Sequence, residues 1–199
     1  MRYAHTACVL VLCPNGLGVV RSLGRQGIPV IGCDYHYPMP GFFSRYCTAY
    51  SCPNPFRSPD RLCDFLMSLM GNDREKGVLF PTSDEFVLFV SRHRERLSER
   101  FLFALPDEDV VESLLNKRWQ YAKAEETSTP YPSTHCPASL DEVEGLRHEI
   151  EYPVIIKPCY THLWKEKSFG VKGYLVHDPR ELVATFERIL PSGVDVIIQ

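Results

Sequence analysis

Short apolar runs, each closed by a turn signal and followed by an amphipathic stretch, recur along the first hundred residues and limit the folds open to this chain. Residues 6–12 form a continuous apolar run that stops at Pro14-Asn15-Gly16. A run apolar on both sides suits a strand buried between two layers, the usual environment of a parallel sheet. The pattern then predicts a helix over 17–26 ending at Gly27, a strand over 29–34 and a weakly alternating strand over 46–52. Ser58-Pro59 opens a helix to about Met70, with Pro59 suited to the first helical position. A strand over 77–81 follows. Thr82-Ser83-Asp84-Glu85 has the spacing of a capping box before a helix over 86–100, and a short strand is expected over 101–104. This β-α-β-α order implies an α/β fold, a parallel sheet with helices on both faces.

The pattern changes after residue 106, which sets the expected domains at 1–106 and 107–199. Two helices in close succession, over 107–115 and 117–126, lead to a turn at Tyr131-Pro132 and an edge strand over 133–136. Ser139-Leu140-Asp141-Glu142 forms a capping box for a helix to about Ile150. Strands are expected over 153–157 and 171–176, with a loop over 159–170 between them. Asp178-Pro179-Arg180-Glu181 combines a cap, a first-turn proline and a glutamate at the third position, and starts a helix to about Leu190. Pro191-Ser192-Gly193 turns the chain into a last apolar strand. The second domain is therefore expected to be α+β. Domains rarely end on a buried strand, so the close on Val196-Ile197-Ile198-Gln199 predicts a truncated chain.

With 22 Lys+Arg against 25 Asp+Glu, the formal charge is −3, whereas a dedicated nucleic-acid binder is usually strongly basic. No apolar run approaches the ~20 residues needed to span a bilayer. The first residues lack the anatomy of a signal peptide, so a cytoplasmic protein is expected. The eight cysteines include no C-x-x-C pair, and the seven histidines no H-x-H or H-E-x-x-H spacing. The cysteines read as small buried hydrophobes in a reducing compartment. Arg92-His93-Arg94-Glu95-Arg96 reads as an exposed helix face, its charges balanced by Glu95 and Glu99.

Four stretches have the residue types for chemistry. Asn15-Gly16-Leu17-Gly18 lies between a strand and a helix, where glycines admit a ligand close to the backbone. The dinucleotide pattern asks for a third glycine where Arg21 stands, although Asp34 occupies the place of a ribose-binding acid. A Rossmann-type NAD(P)- or FAD-binding protein is thus one reading, and a ligand-free turn another. Lys157, in Val154-Ile155-Ile156-Lys157-Pro158, shares a strand face with Ile155 and needs an anion or a route to water. Lys117 follows the cap residue Asn116, at the helix end that disfavours cations unless an anion binds nearby. The stretch 160–172, with Trp164, Lys165, Lys167, Gly170 and Lys172, is either a solvated hairpin or a loop able to fold over phosphates.

Taken together, these pieces resemble the ATP-grasp superfamily, carboxylate–amine ligase branch, which includes D-aspartate-ligase-like and carbamoyl-phosphate-synthase-like proteins. Asn15-Gly16-Leu17-Gly18, Gly27-Ile28-Pro29-Val30 and Pro81-Thr82-Ser83-Asp84-Glu85 look like a parallel-sheet pre-ATP-grasp domain. Asn116-Lys117 and Pro153-Val154-Ile155-Ile156-Lys157-Pro158 look like the nucleotide lysines of the α+β first lobe, with Asn116 where the family usually has aspartate. The run from Trp164-Lys165 through Lys172-Gly173-Tyr174 looks like the phosphate lid. The resemblance implies ATP contacts from Lys117, Lys157, Lys172, Ile155 and Gln199, and substrate contacts from Asn15, Gly16, Gly18 and Asp34. It also implies phosphorylation of a small-molecule carboxylate by ATP and attack by an amine, without nucleic acid or membrane, and leaves room for a homodimer. The family's adenine hinge and Mg²⁺ ligands would fall beyond Gln199. The chain alone is therefore expected to lack the metal-binding half and catalytic residues, and to bind ATP without turning over.

Overall fold

Every residue of strand β1 (Ala7–Leu10) is buried, as its unbroken apolar run requires, and it lies at the centre of a parallel sheet. A computed structural model of the chain describes residues 5–70, 75–166 and 171–199. Two compact units emerge, Met1–Val111 and Glu112–Gln199.

In the first unit β1 is followed by α1 (Pro14–Arg25), β2 (Val30–Asp34), β3 (Thr48–Ser51), α2 (Pro59–Leu69), β4 (Gly77–Pro81), α3 (Asp84–Arg92), α4 (Arg94–Leu97) and β5 (Phe101–Leu102). The five strands run parallel in the order β3-β2-β1-β4-β5. Alternate residues of β1 serve different layers. Cys8 and Leu10 pack with Leu62, Leu66, Phe86 and Phe89 from α2 and α3, whereas Ala7 and Val9 pack with Val20 of α1. The sheet is therefore covered on both faces, as the βα order predicts.

Two local expectations are corrected here. The helix expected over 86–100 is broken at His93 (φ −107°, ψ 25°), whose Nδ1 lies 3.0 Å from the Phe89 carbonyl. The capping box at 82–85 is not formed. Ser83, not Thr82, is the cap residue, and its hydroxyl donates to Glu85 Oε2 (3.0 Å) rather than accepting a backbone N–H. Thr82 instead donates to the Leu10 carbonyl (2.8 Å). The arginines of 92–96 are more than a solvated face. Arg92 pairs with Glu108 (3.2 Å), Arg94 donates to the Leu105 carbonyl (2.7 Å), and Arg96 pairs with Asp64 of α2.

The second unit begins within α5 (Glu108–Leu115) and continues with α6 (Lys117–Glu126), α7 (Leu140–Leu146), β6 (Val154–Pro158), α8 (Thr161–Glu166), β7 (Tyr174–Val176), α9 (Pro179–Ile189) and β8 (Val196–Ile198). Its sheet is antiparallel, in the order β7-β6-β8. Val154, Ile156, Val176 and Ile198 bury one face against Val143 of α7 and Leu182, Phe186 and Ile189 of α9. The loop expected over 159–170 contains a helix, α8, and the expected edge strand over 133–136 is reduced to one bridge between His135 and Ile198. Lys167 and Gly170 lie outside the described residues, as does the Lys165 side chain.

The start of α9 forms as its sequence requires. Asp178 accepts the N–H groups of Arg180 (2.8 Å) and Glu181 (2.9 Å), and Glu181 accepts the His177 N–H (2.8 Å). Donation by Glu181 first, then Arg180, lowers the Asp178 carboxyl below its ordinary value. A lowered carboxyl stabilises the fold above the unfolded-state value and ceases to do so as pH falls through the folded one. Asp178→Ala is expected to lower Tm at pH 7, and the gap to wild type to close in acid below the ordinary carboxylate range of about 4. Thermal melts across pH 2–7 in circular dichroism check this.

All eight cysteines are free; Cys8, Cys33, Cys52, Cys63 and Cys159 are buried. Burial pushes the thiols of Cys63 and Cys159 up to about 11. Only thiolate reacts appreciably with disulfide reagents. The folded protein should therefore be labelled first at Cys13 and Cys136, more slowly at the half-buried Cys47, whose thiol burial also raises, and at the other five only after denaturation; mass spectrometry of the labelled peptides reads the difference.

Candidate functional site

Strand β6 alternates buried and half-buried residues, so Ile155 and Lys157 project from the face opposite the core of the second unit. The Lys157 ammonium donates to Gln199 Oε1 at 3.0 Å. Gln199 is itself fixed beside β6. Its N–H donates to the Ile155 carbonyl (3.0 Å), and its carbonyl accepts the Ile155 N–H (2.7 Å). Among the described residues, Lys157 thus has a neutral partner that does not cancel its charge.

Lys117 is brought to the same end of β6 by its backbone. Its N–H donates to the carbonyl of Cys159, two residues beyond Lys157 (3.1 Å), and its ammonium donates to Thr161 Oγ1 (3.1 Å). Asn116 is nearly buried and caps α6 by accepting the Arg118 N–H (3.0 Å). The cation at this helix start is therefore held by packing against the electrostatic preference of the helix.

The third lysine of the sequence reading, Lys172, is exposed just before β7. Gly173 beside it passes very close to β6. A Cβ there would stand 2.7 Å from the Ile156 carbonyl oxygen and 3.3 Å from Lys157 Cγ, so glycine alone permits the approach. Leu175, opposite Ile155 in the register, is exposed and extends an apolar floor next to the lysine. Trp164 of α8 is buried and donates from Nε1 to the Val171 carbonyl (2.5 Å). Among the described residues, no group of three His, Cys, Asp or Glu side chains could hold a metal ion.

In the first unit the residues singled out from sequence have different surroundings. Helix α1 starts at Pro14, so Asn15, Gly16 and Gly18 lie in its first turns rather than in a loop ahead of it. A Cβ on Gly16 would come within 1.7 Å of the Val11 carbonyl oxygen; nothing lies within 4 Å of one on Gly18. Asn15 is exposed. Asp34 is buried and accepts the Leu12 N–H (2.7 Å) and the His36 N–H (2.9 Å) on its two oxygens. It straps the turn after β1, where Val11 has φ +78°, a strained conformation for a β-branched residue. That turn sits where the chain reverses direction across the sheet, the place where open α/β sheets usually form crevices.

In fold, the chain is similar to parts of larger enzymes of known structure. An L-amino acid ligase from Bacillus licheniformis superposes on all of the chain with TM-score 0.69 at 14% identity, using 44% of its own length. The biotin carboxylase domain dimer of 2-oxoglutarate carboxylase from Hydrogenobacter thermophilus, in complex with MgADP, ADP and bicarbonate, covers 98% of the chain with TM-score 0.67 at 15% identity and 43% of its length. In sequence, the chain is similar to a D-aspartate ligase from Enterococcus faecium, 29% identical over 132 residues, or 63% of the chain and 31% of the ligase. No protein-family model matches. The chain thus spans less than half the length of these relatives. Among the described residues, no helix is long and apolar enough to cross a membrane.

Proposed function

We propose that this chain supplies the ATP-binding part of a ligase that joins a small-molecule carboxylate to an amine through an acyl-phosphate. The observation carrying the proposal is Lys157 on the open face of β6 beside the apolar positions Ile155 and Leu175, with the Lys117 backbone bonded to Cys159 just past the end of that strand. A held cation next to an apolar floor, with a second lysine at the following helix start, suits a ligand with a phosphate tail and a flat base. Preorganised cations facing transferring phosphoryl groups are also the main catalytic resource in this chemistry. Lys117 and Lys157 neutralise phosphate charge, Ile155 and Gln199 line the base, and Lys172 stands at the exposed approach. ATP would supply the activated phosphoryl group. The described residues offer no carboxylate cluster for Mg²⁺, so no step is assigned to a metal here. The similarity to a D-aspartate ligase supports a carboxylate–amine reaction.

In the first unit, the substrate role falls to Asn15 and Gly18, because Gly16 is used in packing and both oxygens of Asp34 accept backbone N–H groups. The same two facts weigh against the dinucleotide reading, in which Asp34 would have to accept ribose hydroxyls. Titration of the chain with ATP, ADP, NAD⁺ and FAD, followed by fluorescence of Trp119 and Trp164, tests the proposal. Saturable responses to ATP and ADP are expected, with none to NAD⁺ or FAD. Tight NAD⁺ binding, or no response to either adenine nucleotide, would overturn it.

A further inference from the structure

We propose that Thr134 is a positioning residue for the Lys157 ammonium, acting through the side-chain amide of Gln199. The inference rests on the nucleotide reading above and adds a residue that no spacing in the sequence marks. It follows from counting hydrogens along one chain of contacts. The Thr134 hydroxyl lies 2.7 Å from the Pro132 carbonyl oxygen, which can only accept. A hydroxyl has a single hydrogen, so Thr134 must present lone pairs to its other neighbour. That neighbour is Gln199 Nε2, at 2.9 Å. The amide is therefore turned with its NH₂ group toward Thr134 and its carbonyl oxygen toward Lys157 Nζ, 3.0 Å away. The reverse orientation would set two donors, NH₂ and ammonium, against each other, and would leave the amide oxygen facing a hydroxyl with no hydrogen to give.

The backbone supports the same arrangement. His135 and Ile198 exchange both N–H···O bonds, at 2.9 and 2.8 Å. The antiparallel register then brings residue 134 alongside residue 199. Gln199 is anchored on its other side by its two bonds with Ile155. The result is a one-way relay, from the Lys157 ammonium to the Gln199 carbonyl and from the Gln199 NH₂ through the Thr134 hydroxyl to the Pro132 carbonyl. It uses one of the three ammonium hydrogens and leaves two for a phosphate. A flexible four-carbon stem would otherwise sample many rotamers. Thr134 thus selects the lysine position without touching the ligand.

The test uses Thr134→Val, which keeps the shape and removes the hydroxyl, and Thr134→Ser, which keeps the hydroxyl. Calorimetry reads affinity for ATP and for adenosine, which has no phosphate, and NMR reads the Gln199 side-chain amide resonances without nucleotide. Loss of one hydrogen bond in the relay should weaken ATP binding of Thr134→Val about three- to ten-fold. Adenosine affinity should hold within about twofold, because the two backbone bonds with Ile155 keep Gln199 beside the base while only its side-chain amide is released. The Gln199 amide resonances should move in Thr134→Val, and Thr134→Ser should restore both signals. ATP binding by Thr134→Val equal to wild type would overturn the proposal. So would equal losses for ATP and adenosine, or failure of Thr134→Ser to rescue. A wild-type chain that binds ATP no better than adenosine would instead remove the nucleotide reading and the role built on it. The amide resonances would then still decide whether Thr134 orients Gln199.

Discussion

Gly16→Ala is expected to destabilise the first unit by at least about 3 kcal/mol, the upper part of the range for overpacked sites. The new methyl would sit 1.7 Å from the Val11 carbonyl oxygen, and a backbone atom cannot rotate out of the way. Nor can the Val11 turn yield easily. The Val11 N–H donates to the Cys33 carbonyl (2.8 Å), the Leu12 N–H to Asp34 (2.7 Å) and the Thr82 hydroxyl to the Leu10 carbonyl (2.8 Å), while Val11 is already strained. Gly18→Ala is the matched control, two residues along the same helix, with open space around its Cβ. Alanine there should gain up to about 1 kcal/mol from helix propensity. Urea denaturation of both variants reads the contrast. Equal stabilities would show that the turn after β1 is not held as described.

Lys157→Met should lower ATP affinity by about ten- to hundred-fold, the effect of losing one charge-assisted contact of 1.5–3 kcal/mol. The chain should remain folded, because the ammonium lies on the open face of β6 and bonds a neutral amide. Methionine retains most of the apolar stem, so adenosine affinity should change little. The dependence of ATP affinity on salt should also become shallower, since one fewer cation faces the phosphates. Calorimetry at two ionic strengths gives both quantities. Unchanged ATP affinity would place the phosphates elsewhere and overturn the role given to Lys157.

The architecture was legible where one requirement acts along a short stretch. The apolar run of β1 reflects burial on both faces, and alternation in β6 reflects one buried and one open face, which is how Lys157 could be placed beside Ile155. The cap of α9 is complete within Asp178–Glu181, so its sequence contains both partners of each bond. Legibility failed where a residue answers to a distant neighbour. Thr82 and Glu85 have capping-box spacing, yet the Thr82 hydroxyl bonds the Leu10 carbonyl, 72 residues away in sequence and adjacent across the sheet. Asp34 and Gly16 have the residue types of a dinucleotide site, yet they are used to hold the turn after β1.

The candidate site divides in the same way. Sequence alone determined most of the order of strands and helices (α8 and the strand expected over 133–136 apart), the facing of Lys157 and the presence of Lys117 at a helix start, because propensity, capping and period are local properties. Only the tertiary structure decided what these lysines meet. The Lys117 N–H reaches Cys159, the Lys157 ammonium reaches Gln199 and the Gln199 amide reaches Thr134, 65 residues apart in sequence. Such contacts follow from strand register and chain crossing, and hydrogen-bond direction is settled only once every donor and acceptor has its neighbour.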